Sequence, residues 1–366
     1  MSSIDCSIIR GGSSKGVFLL ERDLPAQRDD RDRLLLALMG SADARQIDGL
    51  GGGDPLTSKV AIIAPGRTAD ADLEYESIEV GLGSNRVNRG IMCGNLAAGV
   101  GLFALEAGLL ARDTGRGAIR IHCRSNGKMI VARPMGAQTW GELPAGGGAA
   151  EVGLRFEDPA GAVTGRLLPL GEIVTQMPAA EAAALAVSVV DAGTLYAFVN
   201  AEHLGCHGAE APAVLDLDNS LRLRVEALRG EVTRRINQRL GMQLHPHRLK
   251  MAMVGGRSAD GGEVDLVVRI LNPVKVHKAC AVSAGICLAT AAALRGSVVN
   301  GLVQAEGSPW TLRIGHPTGV LAVTLHRRGD AVAACEVQRS ARVLMRGAAQ
   351  WVMPPDAAAS LGAAAA

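Results

Sequence analysis

Cys93 is followed at once by Gly94-Asn95 and then by an apolar run that starts at Leu96. A Gly-Asn pair turns the chain and the apolar run predicts a helix. Cys93 and the N–H groups of Gly94, Asn95 and Leu96 are therefore expected at a helix N-terminus. Such a terminus carries unsatisfied donors and partial positive charge, which suit a carboxylate or a developing oxyanion. It would also favour the thiolate of Cys93. Taken alone, the stretch reads equally as a glycine turn with a buried structural cysteine. Lys59 is the second chemical residue. It lies between the glycine-rich run Gln46-Ile47-Asp48-Gly49-Leu50-Gly51-Gly52-Gly53-Asp54-Pro55-Leu56-Thr57-Ser58 and the apolar strand Val60-Ala61-Ile62-Ile63. A glycine run lets backbone approach a ligand closely. A lysine at the mouth of an apolar strand is expected to be desolvated, which lowers its pKa toward that of a general base. A snorkelling surface lysine is the commoner outcome.

A third feature is the turn Arg10-Gly11-Gly12-Ser13-Ser14-Lys15-Gly16 between two strand-like segments. Glycines bend it, serines offer hydroxyls, and Arg10 and Lys15 flank it, so it reads as an anion nest. It lacks the GxxxxGK[ST] spacing of a phosphate-binding loop. A hairpin turn with solvated charges is the plain alternative.

The elements that must position these residues follow from periodicity. Residues 29–39 predict an amphipathic helix, 60–64 and 73–80 strands, and 96–110 an apolar helix ending near Gly108. Residues 118–133 predict a hairpin around Asn126-Gly127. A second set follows: strands at 185–190, 195–199, 249–254 and 264–271, a charged helical region over 214–240, and an apolar helix over 286–294. In the charged region Arg222, Arg224, Arg229, Arg234, Arg235 and Arg239 are expected on a solvated face. Strands at 320–325 and 331–337 close the pattern. The order strand, polar turn, Ala-rich helix therefore occurs twice, and Ser283 stands in the second copy where Cys93 stands in the first. Two similar domains whose helix N-termini face one cleft are the expectation.

Composition bounds the function. With 366 residues, 48% hydrophobic and 20% charged, the chain is globular and has room for two domains. Aromatics are only 2% and the net charge is +2, so the chain lacks stacking platforms and a basic arm, and no nucleic-acid partner is expected. The seven cysteines are scattered and form no CxxC pair, so no metal site is read. The longest apolar runs are too short for a membrane span and the N-terminus does not resemble a signal peptide. A soluble protein of the reducing cytoplasm, with no membrane partner, is the expectation.

Four motifs, in order and spacing, resemble the PrpF-like isomerases, a family with a diaminopimelate epimerase-like fold. They are Arg10–Gly16, then Gly40-Ser41-Ala42-Asp43-Ala44-Arg45-Gln46-Ile47-Asp48-Gly49, then Leu56-Thr57-Ser58-Lys59-Val60-Ala61-Ile62, then Cys93-Gly94-Asn95. His277 leading to Ser283-Ala284-Gly285, and His316-Pro317-Thr318-Gly319, match more loosely. The resemblance covers nearly the whole chain. It implies an α+β fold of two similar domains, each a curved, mostly antiparallel sheet around a central apolar helix. The domains would be residues 1–185, with Lys59 and Cys93, and 186–353, with the Ser283 helix; 354–366 would be a disordered tail. The implied activity is a cofactor-independent isomerisation, an allylic double-bond shift or keto–enol tautomerisation. Its substrate would be a small unsaturated di- or tricarboxylate such as 4-oxalomesaconate, 2-methylaconitate or 3-methylitaconate. Lys59 would abstract or return the proton with Cys93 beside it. Arg10, Ser13, Ser14, Lys15, Ser58, Gly94, Asn95, His277, Ser283, Ala284, Gly285 and His316 would hold the substrate, and a homodimer stays open as the assembly. Met92 and Leu170 stand where the family usually carries Asn and Thr. They sustain an alternative, a non-catalytic polycarboxylate-binding or accessory protein for a partner dehydratase. An epimerase with two opposed cysteines is disfavoured, because the second turn carries Ser283.

Overall fold

The computed structural model describes residues 2–90, 92–112, 115–137, 139–143, 148–178, 184–257, 263–273, 275–303, 305 and 307–352. The expected tail from residue 354 lies outside them. The chain divides into two compact units, one of residues 1–155 with the chain from Gln338, the other of Phe156–Val337. The boundary expected at residue 185 therefore moves. Residues 156–185 group with the second unit, and the end of the last strand groups with the first.

In the first unit the chain runs β1 (Ser2–Gly11), β2 (Ser14–Leu20), α1 (Arg28–Met39), β3 (Lys59–Pro65), β4 (Leu73–Val80), β5 (Val87–Asn88), α2 (Gly94–Glu106), β6 (Ile119–Cys123), β7 (Lys128–Met135) and β8 (Ala150–Glu157). Neighbouring strands alternate in sense: β1–β2 antiparallel, β2–β3 parallel, β3–β4 antiparallel, β4–β6 parallel, β6–β7 antiparallel. A parallel pair requires a crossover. Helix α1 supplies it between β2 and β3, and α2 between β4 and β6. Leu34, Leu35, Leu38 and Met39 of α1 pack with Val17, Leu19, Val60, Ile62, Ile78 and Val80 on one face of the sheet. The other face of these strands takes α2, which packs on β1, β2, β3 and β4. Every residue of α2 except Glu106 is buried. A helix apolar all round is stable only when surrounded in this way. It begins two residues earlier than periodicity predicts, because Gly94 and Asn95 are already helical.

The second unit repeats the scheme. It runs β9 (Thr175–Met177), β10 (Leu185–Ala192), β11 (Thr194–Asn200), α3 (Pro212–Leu217), α4 (Asn219–Leu240), β12 (Lys250–Gly255), β13 (Leu266–Leu271), α5 (Val282–Ala293), β14 (Trp310–His316), β15 (Gly319–Arg328) and the start of β16 (Ala331–Trp351). The senses are again antiparallel for β10–β11, parallel for β11–β12, antiparallel for β12–β13, parallel for β13–β14 and antiparallel for β14–β15. The crossovers are α3–α4 and α5, so α5 occupies the place that α2 holds in the first unit. This is the expected α+β class, with two similar halves.

Three sequence expectations change here. The charged region over 214–240 is two helices, broken where Asp218 caps α4 by accepting from the Leu221 N–H at 2.8 Å. Arg229 is not solvated. It is 1% exposed, and its guanidinium donates to the carbonyls of Leu249 and Leu271, tying α4 to the chain just before β12 and to β13. The last strand does not stop at Val337 but continues to Trp351, and Ala341–Trp351 pairs antiparallel with β1. Met92 is buried, and Leu170 belongs to the α4-side core. At both positions an apolar side chain packs where the family pattern is polar. Among the described residues no helix is long and apolar enough to cross a membrane.

Candidate active site

Lys59 opens β3. In the sheet register it stands beside Gly16 of β2 and opposite Glu79 of β4. Its ammonium donates to Glu79 Oε1 as an ion pair. Lys59 is 5% exposed. It is therefore desolvated as expected, but its pKa moves the other way. Burial is the strongest influence and pushes the pKa down. The thiolate form of Cys93, the Glu79 carboxylate and Asp54 together outweigh it, so Lys59 titrates above the ordinary lysine value. The sequence reading counted the desolvation and lacked the anionic partners.

Cys93 is the N-cap of α2, and its side chain does not cap the helix. The first intrahelical bond runs from the Ala97 N–H to the Cys93 carbonyl, 3.2 Å. The N–H groups of Gly94, Asn95 and Leu96 precede that bond and have no partner within the helix. The Cys93 backbone is held from β4: its N–H donates to Ser77 Oγ at 3.0 Å, and its carbonyl accepts from Tyr75 Oη at 2.9 Å. Burial raises the Tyr75 pKa well above the usual phenol value, so the hydroxyl keeps its proton and remains a donor. The Cys93 sulfur lies 4.0 Å from Ser14 Oγ and is half-buried. Three other thiols are held protonated by burial: Cys123 is pushed up to about 11, Cys335 to about 12, and Cys287 well above the usual value.

The Arg10–Gly16 turn is a tight hairpin packed on the start of α2. Gly12 sits at φ 51°, and a Cβ on Gly11 would lie 2.2 Å from the Asn95 carbonyl oxygen. Glycine is needed at both positions, at the first for the left-handed turn and at the second for the close approach. The turn is less of an anion nest than its sequence suggests. The Gly12 N–H donates to the Ser340 carbonyl, the Lys15 N–H to the Leu56 carbonyl, and Arg10 to Gly12 O and Ser340 Oγ. The turn does contribute hydroxyls beside the helix start. Ser13 Oγ accepts from the Asn95 amide at 3.1 Å, and Ser14 lies near the thiol. Ser58 is not presented to a ligand. It is 1% exposed, and its hydroxyl donates to Gln46 Oε1 at 2.5 Å.

The remaining candidates lie in the second unit at the start of α5. The N-cap there is Ala281, and the Gly285 N–H donates to the Ala281 carbonyl at 3.0 Å. Aligning the first intrahelical bonds places Ala281 where Cys93 stands and Ser283 where Asn95 stands, so the expected match of Ser283 to Cys93 is off by two residues. It follows that the Gly285 N–H is used within the helix, and the unused set is Val282, Ser283 and Ala284. Nδ1 of His277 accepts from the Ala279 N–H, and Nδ1 of His316 from the Thr318 N–H.

Glu79, Ser77, Tyr75, Gln46 and Arg339 were missed from sequence. A signal existed for the first three. The apolar pairs Leu73/Tyr75 and Ile78/Val80 occupy opposite faces of β4, and the face that begins Leu73, Tyr75 continues as Ser77, Glu79. Arg339 gave no signal; its Nε donates to Asn95 Oδ1 at 3.1 Å and fixes which way that amide points.

Duplicated mixed sheets, each around a buried helix, with a lysine and a cysteine at one helix start, define a protein of the diaminopimelate epimerase-like fold. A solved hydroxyproline epimerase from Agrobacterium vitis shares that fold, with a TM-score of 0.58, 14% identity, and 96% of this chain and 94% of that one covered. The chain belongs to the PrpF protein family, whose model matches residues 1–352. It is 38% identical to the 4-oxalomesaconate tautomerase of Pseudomonas putida, over 94% of this chain and 95% of that protein. A crystal structure of methylitaconate-delta-isomerase superposes with a TM-score of 0.75 at 32% identity, with 96% of each chain covered.

Proposed function

We propose that Lys59 and Cys93 move a proton along an allylic or keto–enol system of a small unsaturated di- or tricarboxylate, in the class of 4-oxalomesaconate, 3-methylitaconate and 2-methylaconitate. The chain is an isomerase, as the named members of its family are. The observation that carries the residue assignment is the meeting of three things at one helix start. These are a buried lysine, a half-buried thiol whose backbone is clamped by Tyr75 and Ser77, and three N–H groups with no partner within the helix.

The transfer balances with these groups alone. Neutral Lys59 removes a proton from an allylic carbon conjugated, through the double bond, with a carboxylate. The electron pair left behind delocalises through the double bond onto the carboxylate, forming an enolate-like intermediate. The Cys93 thiol returns a proton at the far end of the allyl system. Lys59 then hands its proton back to the thiolate, restoring both groups. The pair holds one transferable proton at rest and two while the intermediate stands, and the form with a Lys59 ammonium beside a Cys93 thiolate is the resting pair with its proton on nitrogen. Charge in the intermediate gathers on the carboxylate oxygens, where the N–H groups of Gly94, Asn95 and Leu96, aided by the hydroxyls of Ser13 and Ser14, stabilise it. A working thiol calls for a reducing compartment, and the cytoplasm is part of this reading.

The test is proton NMR in D₂O with purified protein and a panel of unsaturated di- and tricarboxylates. Deuterium entering one allylic position together with a moved double bond supports the reading and names the substrate. Binding without exchange across the panel contradicts it and favours the accessory-protein alternative.

A further inference from the structure

Glu79 faces Lys59 across the β3–β4 register, and nothing in the transfer just described uses it. We propose that Glu79 is a positioning residue for Lys59: its carboxylate holds the lysine nitrogen in place at the head of β3. The inference rests on the reading of Lys59 as the proton carrier. The geometry that supports it is specific. Lys59 and Glu79 are directly opposed in an antiparallel pair, so their side chains emerge from the same face within reach of each other. The ion pair is formed, with the lysine side chain 7% exposed and the carboxylate 34% exposed. A buried ammonium needs such a partner, because an unpaired buried charge is costly. On its other side Glu79 is registered with Asn88 of β5, which anchors the strand that carries it.

The charged groups that act on Lys59 are Glu79 from β4, Cys93 from the start of α2 and Asp54 from the glycine-rich loop. Tyr75, on the same face of β4 as Glu79, also feels its charge. Of the three anions, only Glu79 bonds the lysine directly. Cys93 loses its charge whenever it receives the proton, whereas the bond from Lys59 to Glu79 takes no part in the transfer. Glu79 makes the amine easy to reprotonate after each transfer and holds its nitrogen in one place while the proton is away. Its removal should therefore move the ionisation of Lys59 rather than abolish chemistry.

The experiment is the pH profile of kcat/KM for wild type, Glu79→Gln and Glu79→Asp, with Lys59→Ala alongside. Gln keeps the size and one hydrogen bond but not the charge. The expected result is that the limb belonging to Lys59 moves to lower pH in Glu79→Gln and returns toward the wild-type position in Glu79→Asp, with KM changed by no more than about twofold. A Lys59 limb that does not move in Glu79→Gln overturns the proposal. If Lys59→Ala retains activity, the reading of Lys59 fails instead, and the two failures are thereby told apart. A second measurement needs no variant. In wild-type protein labelled with ¹³C-lysine, the Lys59 ε-carbon should titrate above free lysine, and titration below it overturns the proposal.

Discussion

The residue that caps α2 is Cys93, and the residue that caps α5 is Ala281. The two helices occupy the same place in the same succession of strands, and both are buried along nearly their whole length. Each follows an antiparallel pair whose first strand opens with a lysine, Lys59 of β3 and Lys250 of β12. The register is equivalent, because each lysine pairs with the residue two positions into the preceding strand, Gly16 of β2 or Tyr196 of β11. That neighbour makes the difference. At Gly16 a Cβ would come within 2.9 Å of the Leu96 side chain and of the Lys59 carbonyl, so the backbone of β2 lies directly against Lys59. At Tyr196 a buried phenol, stacked on Phe198 at 5.5 Å between ring centroids, fills the equivalent position. The frame is built twice, and the proposed proton-transfer pair, Lys59 and Cys93, lies in one copy. The fold supplies two buried helices in equivalent places, while the proposed chemistry draws on a few side chains around the start of one of them.

The comparison can be broken most sharply at the two lysines. Lys59→Ala should lower kcat about a thousandfold, within the range expected for loss of a general acid–base group. Lys250→Ala should change it less than about threefold. A large loss at Lys250 would mean that the second unit handles protons too. The helix starts come next. Cys93→Ser should cost about tenfold to a hundredfold in kcat while the melting temperature holds, since a hydroxyl fits but donates a proton less readily. Ser283→Ala should have a smaller effect, read in KM rather than kcat.

Packing around the two helices gives a further pair of outcomes, measured by denaturant or thermal unfolding. Gly11→Ala places a methyl 2.2 Å from the backbone oxygen of Asn95. It should destabilise by about 2–3 kcal/mol, because backbone cannot step aside. Gly285→Ala meets the ends of Leu321 and Val323 at 2.6 and 3.0 Å. Those side chains can turn, so about 1 kcal/mol is expected. An effect of similar size should come from Tyr75→Phe. It removes one hydrogen bond to the Cys93 carbonyl and should cost about 1 kcal/mol of stability.

Much of this was legible in the sequence, for reasons that differ from residue to residue. Cys93 at a helix start could be read because glycine, asparagine and an apolar run are local signals. Lys59 could be read because a charged residue at the mouth of a buried strand is conspicuous. The repeat was visible as a strand, a turn and a helix occurring twice, but its alignment was not. A serine resembles a cysteine on paper, whereas the first intrahelical bonds match Cys93 to Ala281. The direction of the Lys59 shift was not legible either. Burial can be guessed from neighbouring apolar residues, but Glu79 is twenty positions away and reaches Lys59 only through strand register. Arg229 was misread for a similar reason. Its helical face looks polar in sequence, yet the carbonyls of Leu249, just before β12, and Leu271 of β13 receive its guanidinium. Arg339 lies in a strand segment with no apolar alternation to announce it, and it reaches Asn95 because the chain returns to the first unit at its end.

The measurement that tests the central claim most directly is solvent exchange by Lys59→Ala on the substrate found in the panel, followed by proton NMR in D₂O beside wild type. The account predicts that wild-type protein places deuterium at one allylic carbon, and that the variant still binds the compound and exchanges nothing. Exchange by Lys59→Ala at the wild-type rate would contradict it, and the proton would have to be carried by another group.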